Sequence, residues 1–363
     1  MWFYILLMLI EIALCSEYRV VAIRGNEKIS MSPGWNTRYD IAILILIIVS
    51  AIRYQIGFDF NAYLGVIRNY KGKQLAWVLE NGYFELFDNI ILYVGAILDA
   101  PIISFTIYSI IIFGGLGIAV NKYSVDKGLS IVIYMSIFLV EAFSSIRQTS
   151  ADIILLLSFG FIKDKKLAKF LVVVLFVTGF HASAIVGAGI YVAYWMSSTI
   201  FMMGFVALFL FGRSIAIFIT NAFLPKYSQY LSDEVIYTTH SGNLSKFLHL
   251  FLLLYSIIML VLIYRKCNGD RIKQILGVIK IYAVGVLCPF VFGGVTGSRL
   301  GRYYLVYIIL LFPLCTEVYP KRQRYLMMLP FVMIYIIHLY ITALGGDTEY
   351  IPYTTWFSAV AGL

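Results

Sequence analysis

Arginine carries the most suggestive chemistry in this chain. Arg53, Arg147, Arg299 and Arg302 lie in three short stretches rich in aromatic, small and apolar residues. A guanidinium presents a planar fork of N–H donors that matches phosphate oxygens with paired hydrogen bonds. The run Gly293-Gly294-Val295-Thr296-Gly297-Ser298-Arg299-Leu300-Gly301-Arg302-Tyr303 adds backbone N–H groups at the start of a helix, a setting that favours an anion. It lacks the Gly-Lys-Ser/Thr ending of a nucleotide-binding P-loop. Together these residues suit a phosphate or diphosphate. The competing reading for each long cation is snorkelling to headgroup water.

Two residues could move a proton. Asp59 closes the run Arg53-Tyr54-Gln55-Ile56-Gly57-Phe58-Asp59, with Tyr63 one turn further on. His181 sits in Phe180-His181-Ala182-Ser183-Ala184, and a neutral imidazole accepts a proton near neutral pH. Glu80 opens Glu80-Asn81-Gly82-Tyr83-Phe84-Glu85, where the alternative to a functional carboxylate is helix capping. Arg147-Gln148 follows Ser144-Ser145 and starts a helix. Glu141 and Asp152 flank it, so an intramembrane ion pair with either is the structural alternative. No carboxylate, His or Cys cluster has metal-ligand spacing. Cys15, Cys267, Cys288 and Cys315 lie far apart, so neither a metal, another cofactor nor a disulfide framework is expected.

The elements that position these residues follow from composition. The 363 residues are 61% hydrophobic and 13% charged, with mean hydropathy +0.88. Soluble domains are about 25% charged. This excludes a soluble enzyme, a disordered protein and a nucleic-acid-binding module, and no nucleic-acid partner is expected. The apolar runs are continuous rather than alternating, so an all-α integral membrane protein is expected, not a barrel. Helices are expected near 1–15, 40–52, 101–120, 128–143, 146–162, 168–180, 182–196, 199–221, 246–264, 274–292, 303–318 and 325–344. That makes about 12 transmembrane helices in a single polytopic domain, 1–363. Met1 to Cys15 reads as a first helix, because it lacks a basic flank and carries Glu11.

The net charge of +9 then reports topology. Five basic groups, around Arg24, Lys122, Lys163, Arg265 and Lys321, fall on one side when the twelve helices are counted. By the positive-inside rule that side is cytoplasmic. Leu86 to Leu98 is apolar but only 13 residues long, which suits a re-entrant or interfacial helix better than a span. Residues 53–100 and 222–245 are then outward-facing excursions, and Arg53, Arg147, Arg299 and Arg302 fall at the outward ends of helices. An outward arginine set at a bilayer surface suits a lipid-linked phosphate or diphosphate. Tyr350-Ile351-Pro352-Tyr353 reads as an aromatic interface anchor.

These motifs, in this order, resemble EpsG-like proteins, a branch of the Wzy-type bacterial polysaccharide polymerases. The likeness rests on Arg53 with Gly57-x-Asp59 and Tyr63, Glu80-x-Gly82-Tyr83, Ile146-Arg147-Gln148 with Ala151, His181-x-Ser183-Ala184, Arg302-Tyr303 and Pro352-Tyr353. Phe58 and Asn81 depart from the pattern. The resemblance implies a GT-C-like polymerase architecture in the bacterial cytoplasmic membrane, with the active site facing the periplasm or exterior. It implies a glycosyltransferase that joins oligosaccharide repeat units carried on undecaprenyl diphosphate, for O-antigen, capsule or exopolysaccharide. Donor and acceptor would both be lipid-linked, with membrane lipid, a flippase and a chain-length regulator as pathway partners. Arg147, Arg299 and Arg302 would bind the leaving diphosphate, with Arg53 near the donor entrance. Asp59 or His181 would be the base. Glu80, Tyr63, Gln148 and Tyr303 would contact substrate. A lipid-linked oligosaccharide flippase, a polysaccharide ligase and an O-acyltransferase are the rival readings.

Overall fold

The computed structural model describes residues 1–15, 21–24, 27–30, 37–223, 240–344 and 350–361. Most of the expected excursion 222–245 therefore lies outside the described residues. The chain forms two compact units, Met1–Ile153 with Tyr325–Leu363, and Ile154–Arg324.

The first unit runs through α1 (Trp2–Cys15), a short antiparallel ribbon of β1 (Val21–Arg24) and β2 (Glu27–Ser30), α2 (Thr37–Ile52), α3 (Phe60–Tyr70), α4 (Leu75–Asn81) and α5 (Leu86–Ile97). It continues through α6 (Pro101–Ser109), a π-helical turn Ile110–Gly114, α7 (Gly115–Tyr123), α8 (Lys127–Ser144) and α9 (Ile146–Leu157). The second unit holds α10 (Phe159–Lys163), α11 (Leu167–Val177), a 3-10 turn Ala182–Gly187, α12 (Ala188–Trp195), α13 (Ser198–Phe223) and α14 (His240–Ile263). It closes with α15 (Gly269–Phe292), α16 (Gly294–Leu305) and α17 (Ile308–Thr316). From Tyr325 onward α18 (Lys321–Leu344) and α19 (Trp356–Ala361) belong to the first unit.

Each of the twelve expected segments contains helix. Length separates them. Among the described residues six helices are long and apolar enough to cross a bilayer: Pro101–Tyr123, Lys127–Ser144, Ser198–Phe218, Lys246–Lys266, Gly269–Phe292 and Arg322–Ile341. The pair Thr296–Leu305 and Ile308–Thr316, bent by 44°, makes a seventh if counted as one span. Trp2–Cys15, Leu86–Ile97, Leu167–Val177 and Ala182–Trp195 are apolar but shorter. At 1.5 Å per residue α5 is about 18 Å long, well short of the roughly 30 Å hydrocarbon core. Local signals set the helix ends. Asp126 caps α8 by accepting from Leu129 N, and Asn268 caps α15 by accepting from Arg271 N. Pro101 occupies the first turn of α6, where its missing N–H costs nothing.

The C-terminal segment is packed into the first unit. Tyr4 donates to the Tyr350 carbonyl at 2.8 Å, and Phe3 stacks on Tyr353 with centroids 4.0 Å apart. Tyr54 N donates to Thr354 O at 2.9 Å, and Trp356 packs on Tyr54, Phe60 and Phe105. The segment that reads in sequence as an interface anchor straps α1 to the end of α2.

Candidate active site

In the first unit Arg147 is the centre of a charged cluster. It stands in the first turn of α9. Its Nη1 lies 2.5 Å from Glu85 Oε2, and its guanidinium sits over the Phe84 ring at 4.0 Å. Tyr63 interacts with the same guanidinium from α3. Both members of the ion pair keep about a fifth of their side-chain surface exposed, 20% for Arg147 and 21% for Glu85. The sequence left Glu141 and Asp152 as partners for Arg147. Glu141 is exposed, Asp152 is buried, and the ion pair is made with Glu85.

Glu85 is held by a polar bracket around the turn before α5. Asn89 Oδ1 accepts from Tyr70 OH at 2.7 Å and from Phe84 N at 3.1 Å, while its Nδ2 donates to Phe84 O at 2.6 Å. Tyr70 OH in turn accepts from Tyr83 N at 3.0 Å. The backbone of Tyr83 and Phe84 is thereby tied to α3 and α5. Glu85 occupies the N-cap position of α5, yet its side chain makes no capping hydrogen bond. One turn along, Asp88 is fully buried at 0% exposure and accepts from Tyr108 OH at 2.5 Å, while its Oδ2 has no hydrogen-bond partner. Burial is the main influence on the Asp88 carboxyl and pushes it up to about 8.

Gly57 explains how the Arg53-to-Tyr63 run reaches this cluster. Its φ of +104° is in the region that favours glycine, and a Cβ there would lie 2.6 Å from the Phe143 carbonyl oxygen. The backbone therefore passes directly against the end of α8, which leads into Arg147. Asp59, half-buried, stands at the N-cap of α3 without capping it, and its charge acts on Tyr63. Arg53 is placed differently from a surface ligand. It is 1% exposed, donates to Ser50 O, to Ser50 Oγ at 2.9 Å and to Phe143 O at 3.3 Å, and lies between the Phe105 and Phe143 rings. Its backbone forms a bridge with Thr355. Glu80 is exposed near the end of α4, and Gln148 is buried beside Arg147 in the chain.

In the second unit the histidine and glycine-arginine motifs come together. Ser183 Oγ and Tyr303 OH are 2.8 Å apart, joining stretches separated by 120 residues. His181, half-buried, heads the 3-10 turn that carries Ser183, its backbone N–H donating to Val177 O at 3.1 Å. Arg299 is exposed, whereas Arg302 and Tyr303 are buried. Gly293, at φ +78°, begins α16, and a Cβ there would lie 2.6 Å from Arg213 Nη1. The guanidinium of Arg213, from the apolar helix α13, thus lies against the start of α16.

Sequence reasoning missed Glu85, Asp88, Asn89 and Tyr108. In sequence Glu85 only ends the Glu80-to-Glu85 run, and Asp88 lies inside the apolar stretch Leu86 to Leu98. Their i, i+3 spacing, which puts both carboxyls on one face of a helix, was the available signal. Among the described residues no three His, Cys, Asp or Glu side chains gather as a metal site.

A helical multi-pass membrane protein with arginine-centred polar clusters is the class that this fold and these sites define. The sequence profile of the EpsG family matches residues 38–355, and the chain belongs to that family, which is one of Wzy-like polysaccharide polymerases. Comparison with curated proteins and with solved structures finds no match for the chain.

Proposed function

We propose that the protein polymerises oligosaccharide repeat units carried on undecaprenyl diphosphate, on the outer face of the bacterial cytoplasmic membrane. A hydroxyl of one lipid-linked unit attacks the anomeric carbon of another chain, and undecaprenyl diphosphate leaves. The fuller architecture in this reading has about twelve crossings in a GT-C-like arrangement, with basic loops inside and α5 dipping into the outer leaflet. Flippase and chain-length regulator are its partners in the pathway.

Arg147 is the observation that supports this reading most. It is a half-buried guanidinium, its plane set by Phe84 and Glu85, within a family of polysaccharide polymerases. The diphosphate leaving group gains charge in the transition state, and preorganised cations stabilise such charge most where water is scarce. Arg299, Arg302 and Tyr303 serve the lipid diphosphate in the second unit. Tyr63, Gln148 and Glu80 contact sugar hydroxyls. Arg53 holds the donor entrance through its packing. Asp59 and His181 are the candidates for the proton acceptor that the sequence offers.

A deletion strain tests the reaction class. Its surface glycan is run as a ladder alongside isolated lipid-linked intermediates. Loss of the long ladder with exported single repeats is the expected outcome. Repeats trapped on the cytoplasmic face would instead make the protein a flippase. A normal ladder with altered decoration would make it an O-acyltransferase, and full-length polymer left on its lipid would make it a ligase.

A further inference from the structure

Glu85 is neither a helix cap nor a solvated surface charge. It sits at the N-cap position of α5 without capping it, and its carboxylate goes to Arg147 at 2.5 Å. The Asn89 bracket fixes the turn that carries it. In the same guanidinium, Arg147 Nε is a buried donor without a hydrogen-bond partner. Asp88 Oδ2 is a buried carboxyl oxygen that also has no hydrogen-bond partner. Nearby unfilled donor and acceptor capacity is what a hydroxyl or phosphate oxygen would take up. The pair also remains one-fifth exposed, so a ligand can reach it.

An anion binding Arg147 must compete with Glu85 for the same guanidinium. While Arg147 holds it, Glu85 Oε2 is engaged by the guanidinium. Once a diphosphate takes the cation, that oxygen is released beside the bound donor. We propose that Glu85 is the general base of the transfer, masked by Arg147 until the donor diphosphate displaces it. This rests on the polymerase reading above and deepens it.

The step balances without a co-reactant. Glu85 Oε2 takes the proton of the acceptor hydroxyl, and the oxygen's electron pair forms the new bond to the anomeric carbon. The bond from that carbon to the diphosphate oxygen breaks, its electron pair leaving with undecaprenyl diphosphate, whose new charge Arg147 holds. Glu85 then returns its proton to water. The device orders the reaction, because the base is released only after the donor is seated.

The test separates binding from turnover. Equilibrium binding of geranylgeranyl diphosphate to the purified protein in detergent reports the Arg147 site. Chain extension from a lipid-linked repeat reports turnover. For E85Q the expected result is binding about fivefold tighter, the loss of one competing ion pair of this kind. Turnover falls on the order of 100-fold or more, the usual contribution of a general base. Arg147→Ala loses both. E85Q with turnover retained, or with turnover and binding lost together, overturns the proposal, because a merely structural Glu85 predicts weaker binding. If E85Q is poorly folded, E85D carries the same comparison. Turnover reduced with binding kept supports the masked base, and both unchanged overturns it. Wild-type protein that binds the probe but extends no chain would sink the polymerase reading instead.

Discussion

Arg147 Nη1 and Glu85 Oε2 meet at 2.5 Å although 62 residues separate them in the chain. The contact joins the first turn of α9 to the turn before α5, and it does so at a partly exposed position. The hydrogen bonds among Asn89, Tyr70 and Phe84 fix the turn that presents Glu85 to this guanidinium.

Arg53 should behave as a structural residue as well as a pathway residue. Its removal leaves the Phe143 carbonyl and Ser50 without their charged donor and takes the filling from between two rings. Arg53→Ala is expected to cost roughly 2–3 kcal/mol. The check is a thermal melt in detergent next to chain-extension activity. A variant with wild-type melting but no activity would move Arg53 into direct substrate contact.

Gly57→Ala should be destabilising by roughly 1–3 kcal/mol, because it combines a positive φ with a Cβ placed against the Phe143 carbonyl. Gly72 also has a positive φ of +76° but has open space around it, so Gly72→Ala bears only the backbone term. Comparing the two melting temperatures separates the close approach from the dihedral. Equal shifts would mean that the contact with α8 is unimportant.

Asp88 gives the first unit a pH dependence with a definite sign. Its carboxyl is raised to about 8 by burial, so between an unfolded value near 4 and that value the folded state holds the extra proton. Its contribution to stability is greatest at the acidic end of that window and declines as pH rises through it. Asp88→Asn keeps an acceptor for Tyr108 and removes the titration. Melting temperature measured from pH 5 to pH 8 should fall less in Asp88→Asn than in wild type. Identical slopes would remove Asp88 as the titrating group.

The alternative bases are tested by Asp59→Asn and His181→Ala. With Glu85 as the base, each should lower chain extension by less than E85Q does. A loss on the order of 100-fold in either one, with E85Q active, would return the role to that residue.

The sequence disclosed the apolar class, the helices and the motif-bearing stretches, because continuous apolar runs and misplaced arginines are local signals. The likeness to EpsG proteins was also legible, and the matched span 38–355 agrees with it. Two things were less so. The helix breaks at Ser158 and between Leu305 and Ile308 have no proline to announce them, and the π-helical turn Ile110–Gly114 lies inside an unbroken apolar run. The partner of Arg147 was hidden because nearest-neighbour logic points to Glu141 and Asp152, while the carboxylate that arrives comes from α5 through the Asn89 bracket. Arg53 looked like its fellow arginines in sequence, and only the rings of Phe105 and Phe143 around it show a different setting.

The most direct test of the account is reconstitution. The purified protein is placed in liposomes with undecaprenyl-diphosphate-linked repeat units, and the glycan length on the lipid is measured by gel and mass spectrometry. The account predicts a ladder of multiples with release of undecaprenyl diphosphate, abolished by Arg147→Ala in protein that still melts as wild type. Single units that remain single with active, folded protein, or a ladder unaffected by Arg147→Ala, would contradict it.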